Sequence, residues 1–396
     1  MGDKEFDVLV IGGGIAGIGV AAHLAQSCRV AVLEMEEQPG YHSTGRSAAL
    51  FVKGFGSPVI RALTLASKPF FFSPDPQFCD GPLVSKRDVM IVGRAEKRQA
   101  FEQYTADEIP HGNLVPIDAN AAMSLCPVLR AEGLIGALLD GGAADIDVHA
   151  LQQGFIKQLR SRGGELFLKA KVEAMAFLHA AALWDVRTGQ GVFRAPIIVN
   201  AAGAWADEIA LRAGVRPIGI EPRRRTAALV DIPDGLVSKD WPMVVDADEQ
   251  FYMKPDAGLL LISPANETPS EPEDAQADEL EVAMAAERLE QITSIEVRRI
   301  RSKWAGLRSF VGDRSPVVGY DPQASGFFWL AALGGYGIQT APALTELAAR
   351  LVLKMPVQQA LEAIGIRESD ISPSRLSQTA DQLAEDQKTQ GEITNR

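Results

Sequence analysis

The feature of this sequence that most limits its fold is a glycine-rich turn close to its start. Residues 6–11 form a short apolar run rich in β-branched side chains, and residues 12–17, which contain four glycines, follow directly. Residues 15–25 are apolar and rich in alanine, and residues 30–33 form a second apolar run that ends at Glu34. This order predicts strand, tight turn, helix and second strand, which together make a parallel βαβ unit.

Each part of this unit has a physical role in binding a dinucleotide. Gly12 permits the tight turn, and Gly14 lets backbone N–H groups approach a pyrophosphate at the positive end of the helix. Gly17 allows the helix and the strand to pack closely. Glu34 can accept hydrogen bonds from the ribose hydroxyls of an adenosine. The first strand, turn, helix and second strand therefore predict a dinucleotide-binding site.

Net charge and cysteine content argue against several classes of protein. The 396 residues carry a formal net charge of −12, which argues against nucleic acid or an anionic membrane as a main partner. Three cysteines without CxxC spacing argue against a disulfide scaffold and a zinc site, and no metal is expected. A cytoplasmic enzyme fits these features, while peripheral association with a membrane stays open.

A second informative stretch, residues 39–49, follows the second strand. It is rich in small and hydroxyl residues, and we predict that it begins a helix there. Such a helix start can hold phosphate oxygens or present hydrogen-bond donors to a flavin. A capped surface helix would show the same pattern, and His42 fits a packed structural role as well as a catalytic one.

Together with three later motifs, this stretch resembles the D-amino-acid oxidase-like flavoproteins. The motifs are residues 200–205, 304–310 and 334–340, and they occur in the order found in that family. The resemblance covers residues 5–375, and it is most specific for the bacterial FAD-dependent D-amino acid and D-arginine dehydrogenases. It implies that the dinucleotide is FAD.

Strand and helix segments alternate at both ends of the chain, whereas the middle is rich in strands. We therefore expect an α/β fold in which a Rossmann-type FAD-binding domain is interleaved with a mixed-sheet α+β substrate domain, as in glutathione-reductase-like and D-amino-acid-oxidase-like proteins. Polar, acidic residues 266–277 predict an exposed loop. The expected segments are 1–80, 146–218 and 309–370 for the FAD-binding domain, 81–145 and 219–308 for the substrate domain, and 371–396 for a polar tail.

The resemblance also implies which residues bind FAD. They come from the glycine turn, the end of the second strand, the stretch after it and the later motifs. The set is Gly12, Gly14, Ile15, Ala16, Gly17, Glu34, Met35, His42, Ser43, Thr44, Arg46, Ser47, Ala48, Ala49, Val172, Gly203, Trp205, Arg308, Gly334, Gly335, Tyr336, Gly337, Ile338, Gln339 and Thr340.

Flavin-dependent amine oxidation requires a clamp that holds the substrate carboxylate, and a guanidinium is well suited to it. Arg308 lies in an otherwise uncharged strand-like run, where it needs either an acidic partner or an anionic substrate. By resemblance Arg225 also serves the clamp, although strand alternation allows Arg223 on the same face. Tyr252 can add a phenol donor, and Gly335 is implied to lie beside the flavin and the substrate amine.

The side-chain pocket is where this chain departs from its expected relatives. Val89, Leu50 and Phe55 stand where members that act on cationic D-amino acids have an acid, a histidine and a tyrosine. An apolar pocket disfavours an unpaired cation, so we expect a substrate with an apolar or neutral side chain.

The implied reaction is oxidative deamination of a D-amino acid, with hydride transfer from the α-carbon to flavin N5 and hydrolysis of the imino acid to a 2-oxo acid and ammonia. An oxidase of secondary amines or N-methyl amino acids, like glycine and sarcosine oxidases, is the alternative. A non-catalytic FAD-binding subunit is a third hypothesis. The sequence leaves both a quinone and oxygen open as electron acceptor.

Overall fold

A computed structural model describes residues 4–109 and 114–376 of the chain. The strands in chain order are β1 (Lys4–Glu5), β2 (Val8–Ile11), β3 (Val30–Leu33), β4 (Leu50–Phe51), β5 (Val84–Lys86), β6 (Val89–Arg94), β7 (Val115–Ile117), β8 (Leu134–Asp140), β9 (Ala144–Ile146), β10 (Glu165–Phe167), β11 (Val172–Leu178), β12 (Leu183–Thr188), β13 (Gly191–Ala195), β14 (Ile197–Asn200), β15 (Glu221–Val230), β16 (Met243–Asp246), β17 (Tyr252–Asp256), β18 (Leu259–Ser263), β19 (Thr268–Pro269), β20 (Ile300–Phe310), β21 (Val317–Tyr320) and β22 (Phe327–Ala331).

The helices separate these strands into layers. They are α1 (Ile15–Leu24), α2 (Pro58–Phe72), α3 (Arg98–Glu108), α4 (Ala119–Leu125), α5 (Val148–Ser161), α6 (Ala206–Arg212), α7 (Glu279–Ile292), α8 (Gly337–Val352), α9 (Gln359–Glu362) and α10 (Glu368–Ile371). Among the described residues, none of these helices is both long and apolar enough to cross a membrane.

The first sheet has the order β10-β3-β2-β14-β22-β21, with the strands from β10 to β22 parallel and β21 antiparallel to β22. Of the four strands in its centre, β2, β3 and β22 are fully buried, and β14 is buried except at the half-buried Ile197. Helices α1, α5 and α8 share a hydrophobic cluster on one face, and the sheet β1-β13-β12-β11 contributes to the cluster on the other. This arrangement confirms the expected Rossmann-type α/β fold.

The second large sheet has the order β19-β15-β18-β17-β16-β6-β8-β7, and β20 pairs with β15. Its strands come from residues 89–140 and 221–310, which follow the expected alternation of segments, although the segment limits remain predictions. At its end, β20 contacts the segment that follows β22 of the first sheet, because Gly334 N donates to Ser309 O at 2.9 Å. That link places the arginine-bearing strands beside the carboxyl ends of the parallel sheet.

Several element boundaries differ from those that the sequence pattern predicts. The apolar runs over residues 166–177 and 304–318 each predict one strand, but Lys169 and Arg314 adopt positive φ angles of 55° and 57° and break them. Residues 82–92 also predict one strand, and the structure divides it into β5 and β6. The pattern predicts that the last long helix begins at residue 341, whereas α8 begins at Gly337.

The polar tail was expected to begin at residue 371, but the chain remains packed beyond that point. Arg375 Nε donates to Asp313 Oδ2 at 2.7 Å, and Leu376 packs against the second hydrophobic cluster. The rest of the predicted tail lies outside the described residues.

We predict that Gly17→Ala destabilises the protein. An added Cβ would lie 1.9 Å from Gly12 O, so the helix would have to move off the strand. Alanine favours a helix interior over glycine by about 1 kcal/mol, but overpacking of a core costs about 1–3 kcal/mol or more. Thermal unfolding should therefore show a lower Tm. Gly81→Ala is the control, because a Cβ there meets nothing within 4 Å; equal Tm values for both variants would contradict the prediction.

Candidate cofactor and substrate site

A cavity of about 260 Å³ opens at the carboxyl ends of the parallel strands. We call it the cofactor cavity. Most of the residues implied to bind FAD line it, and so do the four residues implied to act on the substrate carboxylate and amine. The lining members of these two sets are Gly12, Gly14, Ile15, Ala16, Glu34, Met35, His42, Ser43, Thr44, Arg46, Ser47, Ala48, Val172, Gly203, Trp205, Arg225, Tyr252, Arg308, Gly334, Gly335, Gly337 and Ile338.

The glycine turn and the acid after β3 form one end of the cavity. Gly12 has a φ of 104°, which only glycine adopts readily, and it leads into α1. The buried Glu34 carboxylate accepts from Gly13 N at 2.6 Å and from Glu36 N at 2.9 Å. These backbone bonds fix the carboxylate and leave lone pairs on its oxygens free for hydroxyl donors.

The stretch after β3 is not a helix start as predicted. Residues 40–46 form successive turns, because Gly40 has a φ of 74° and Gly45 N donates to Gly40 O at 2.8 Å. These turns bring Thr44 to the start of α1, where its Oγ1 accepts from Ile15 N at 3.0 Å. The hydroxyl residues therefore reach the positive end of a helix that belongs to another part of the chain.

Arg46 acts as a cross-link between three segments. Its Nη1 donates to Ala275 O at 2.8 Å and to Ala305 O at 3.0 Å, and its Nη2 forms an ion pair with Asp274. Residues 266–277, which we call the strap, were expected to be an exposed loop. Part of the strap is in fact buried, since Ala275 is only 2% exposed and packs with Ala305.

His42 lies between the adenosine end of the cavity and the strap. Its Nε2 is 2.9 Å from Glu36 Oε1, and its ring centroid is 4.6 Å from that of Trp205. Its Nδ1 is 4.0 Å from Asp274 Oδ1 and forms no hydrogen bond. These contacts favour the structural interpretation of His42.

Arg225 and Arg308 place two guanidinium groups at the other end of the cavity. Antiparallel pairing sets Arg223 opposite Arg308 and Arg225 opposite Gly306, so β15 and β20 deliver both charges to one region. Burial, and next the positive charge of Arg308, lowers the pKa of Arg225 to about 10. A Cβ on Gly335 would lie 2.7 Å from Arg308 Cζ, so the glycine is needed for this position of the guanidinium.

The structure separates the three consecutive arginines of β15. Arg223 donates to Glu221 Oε2 at 2.8 Å, and Arg224 donates to both oxygens of Glu281. Neither lines the cofactor cavity. Arg225 does, which agrees with the choice made by resemblance.

Five of the residues implied to bind FAD do not line the cofactor cavity: Gly17, Ala49, Tyr336, Gln339 and Thr340. Gln339 is 4% exposed, accepts from Val52 N at 3.1 Å and donates to Thr64 Oγ1 at 3.0 Å. It therefore braces the loop after β4 against α2.

The three residues expected to form an apolar substrate pocket share one hydrophobic cluster with Tyr252. Val89 is fully buried in that cluster and lines neither this cavity nor the next one, and the same holds for the partly buried Leu50. Phe55 lines a second cavity. Because Val89 and Leu50 line neither cavity, the three side chains do not together form an apolar pocket at either of them.

The second cavity, which we call the distal cavity, has a volume of about 420 Å³ and meets the first at Arg225. Sequence reasoning missed it, because its charged residues come from separate segments and no local motif joins them. They are Arg61, Glu108, Arg225, Glu249, Glu267 and Arg314, accompanied by Tyr104 and Tyr336.

The model of the family described as FAD dependent oxidoreductase matches residues 7–351. The chain belongs to this family. The bovine FAD-dependent oxidoreductase domain-containing protein 1 is 24% identical over 403 residues, which cover 89% of this chain and 82% of that protein. Glycine oxidase from Geobacillus kaustophilus is 24% identical over 364 residues, covering 88% and 93%. The similarity does not point specifically to the D-arginine dehydrogenases.

Solved structures show the same fold. The glycine oxidase structure from Geobacillus kaustophilus superposes with a TM-score of 0.77 at 21% identity, covering 93% of this chain and 98% of that one. L-alpha-glycerophosphate oxidase from Mycoplasma pneumoniae, with FAD bound, gives a TM-score of 0.79 at 18% identity, covering 88% and 95%.

FAD is the cofactor of this family, and the described residues fit it. The first turn of α1 and its glycines offer N–H groups to a pyrophosphate, and Glu34 offers acceptors to a ribose. Lining glycines on the other side, Gly334 and Gly335, leave room for a planar ring beside Arg308.

We predict that the cofactor is not covalently bound. None of the three cysteines, Cys28, Cys79 and Cys126, lines the cofactor cavity. Acid precipitation of the yellow protein should therefore leave the flavin in the supernatant, as measured by its absorbance. Flavin that stays with the pellet would contradict this.

We also predict that the strap retains the cofactor. Asp274→Asn removes the charge that pairs with Arg46, so FAD should dissociate faster and bind more weakly, as measured by recovery of flavin fluorescence on dilution. Partly exposed ion pairs contribute about 0.2–1 kcal/mol, so the affinity should fall by roughly 1.4-fold to fivefold. Glu271→Gln, an exposed position in the same strap, is the control; equal dissociation rates would show that the strap has no such role.

Proposed function

We propose that the protein catalyses FAD-dependent oxidation of the amine of a small amino acid, giving an imino acid that hydrolyses to a 2-oxo acid and ammonia. The observation that carries this proposal is the pair of guanidinium groups at Arg225 and Arg308 in the cofactor cavity. Arg308 has no hydrogen-bond or ion-pair partner among the described residues. Arg225 Nε donates to the backbone oxygen of Asn266 at 2.6 Å, but its one ion pair among those residues, from Nη2 to Glu267 Oε1, is 3.5 Å long.

The positive charges of these two neighbouring guanidinium groups are not fully neutralised by acidic residues, which favours binding of an anion between them. Burial, and next the repulsion from Arg308, lowers the pKa of Arg225, and a bound carboxylate would relieve that repulsion. A guanidinium can bind a carboxylate through two parallel hydrogen bonds, which fixes the orientation of the adjoining α-carbon. Tyr252 lines the same region and supplies a phenol.

FAD, when bound, supplies the acceptor for the hydride that leaves the α-carbon. The residues of this chain bind and orient the substrate. Arg225 and Arg308 also create a positive potential that favours the neutral amine over the ammonium form. This effect prepares the amine without a dedicated base, and no histidine or carboxylate is assigned that role.

The D configuration of the substrate is part of the proposal and is supported by the resemblance in the four motifs. A substrate with an apolar or neutral side chain is supported by Val89, Leu50 and Phe55, which share a cluster with Tyr252. The charged lining of the distal cavity argues against an apolar side chain, and it is considered in the next section.

Oxidation of glycine or of a secondary amine is the second candidate. It is supported by the similarity to glycine oxidase, and the same arginine pair would bind its carboxylate. Anaerobic bleaching of the flavin with D-amino acids, L-amino acids, glycine and sarcosine separates the candidates. Bleaching by D-amino acids alone supports the first, and bleaching by glycine or sarcosine in preference supports the second.

We predict that Arg308→Met impairs turnover while the protein keeps its FAD. The change removes the clamp but retains much of the volume, so transition-state stabilisation should fall by about 2–5 kcal/mol. The measurement is kcat/KM with a dye acceptor, alongside the flavin absorbance ratio. Arg223→Met is the matched control, because Arg223 faces Arg308 in the strand register but pairs with Glu221 outside the cavity. Equal losses in both variants would overturn the assignment.

A further inference from the structure

The distal cavity continues the substrate site beyond the arginine pair. Arg225 lines both cavities, and Tyr336 of the distal cavity follows Gly335 of the cofactor cavity in the chain. A substrate held by its carboxylate at Arg225 would therefore extend its far end into the distal cavity. Its volume of about 420 Å³ exceeds what a substrate as small as glycine requires.

Two of the three acids in this cavity are neutralised by arginines. Arg61 Nη2 donates to Glu108 Oε1 at 2.8 Å. Arg314 Nη2 donates to Glu267 Oε1 at 2.9 Å and to Oε2 at 3.0 Å. Each pair presents both signs of charge and attracts neither a cation nor an anion strongly.

Glu249 is different, since its carboxylate has no hydrogen-bond or ion-pair partner among the described residues. It lies close enough to two phenols to act on both. Burial raises the pKa of Tyr104, and the charge of Glu249 raises it further. Burial also raises the pKa of Tyr336, where the charge of Arg308 lowers it and that of Glu249 raises it. Both phenols therefore stay neutral, and both line the same cavity as the unpaired carboxylate of Glu249.

The position of Glu249 is fixed by the surrounding structure. It lies in the turn between β16 and β17, three residues before Tyr252 at the start of β17. Lys97 Nζ contacts Asp246 Oδ2 at 2.5 Å and Asp248 Oδ1 at 2.9 Å, which ties this turn to the beginning of α3. Helix α3 carries Tyr104, so the acid and the ring are held together before any ligand binds.

We propose that the distal cavity binds a cationic group at the far end of the substrate, an ammonium or a guanidinium, between Glu249 and the rings of Tyr104 and Tyr336. The proposal rests on the proposed function, because it takes the carboxylate to lie at Arg225 and Arg308. It replaces the apolar side chain expected from Val89, Leu50 and Phe55. A cation over an aromatic ring and beside a carboxylate is stabilised by both.

Opposite charges at the two ends also fix the direction in which the substrate binds. The arginine pair attracts the carboxylate and repels the distal cation, while Glu249 has the reverse effect. A substrate that carries both groups is thus oriented before the α-carbon reaches the flavin.

The test compares D-lysine with D-norleucine, which have the same number of side-chain carbons and differ by the terminal ammonium. We expect the wild type to have a higher kcat/KM for D-lysine, and Glu249→Gln to reduce that preference by about fivefold, mostly through KM. The value for D-norleucine should stay within about twofold, because the clamp is intact. Glu132→Gln, an exposed acid that lines neither cavity, is the control.

A second variant, Tyr104→Leu, removes one ring and should lower the preference for D-lysine in the same direction. High salt should also reduce the preference in the wild type, since Glu249 is exposed. A preference for D-norleucine, or an unchanged preference in both variants, overturns this inference and leaves the proposed function intact. Failure of every amino acid to bleach the flavin overturns the proposed function and this inference with it.

Discussion

The close contact between helix α1 and strand β2 is the constraint on which the site depends. Gly17 has no side chain at the point where a Cβ would fall 1.9 Å from Gly12 O, so the helix can begin directly above the end of the strand. That position brings its first N–H groups toward Thr44 and its glycine turn toward Glu34. The turns after β3 can then close on the helix, and their cross-link through Arg46 holds the strap and β20. One steric condition at the start of the chain therefore determines where the later segments can lie.

A second organising feature is the uneven distribution of positive charge along β15 and β20. Arg223 and Arg224 have acidic partners at close range, whereas Arg225 and Arg308 face a cavity and repel each other. Keeping charges in this state costs stability, since each would be more favourable beside an acid. Binding of an anion at this site is therefore more favourable, because the ligand supplies the negative charge that the two arginines lack.

The sequence predicted the βαβ unit well, because it depends on neighbours within one short segment, and Gly12, Gly14 and Glu34 of that unit line the cofactor cavity. It also ranked Arg225 above Arg223, although only by resemblance. Residues 40–46 were wrongly expected to begin a helix, since their turns depend on a positive φ at Gly40 and on a distant helix end. The distal cavity could not be predicted from the sequence, because its charged residues come together only through the packing of α3, the β16–β17 turn and the strap. Local patterns predicted local structure, and side-chain selectivity depended on contacts between segments.

The order of strands in the parallel sheet has a consequence for how the protein is made. The central strand β14 pairs with β2 on one side and β22 on the other, and α8 packs with α1 in the same cluster. A nascent chain that has not yet extended past residue 352 exposes the apolar face that α8 later covers. The glycine turn and α1 leave the ribosome early, whereas α8, which packs against α1, is among the last elements to emerge. We therefore expect FAD to bind only after nearly all the described residues have been synthesised, and termination before α8 to leave a fragment that aggregates and does not bind flavin.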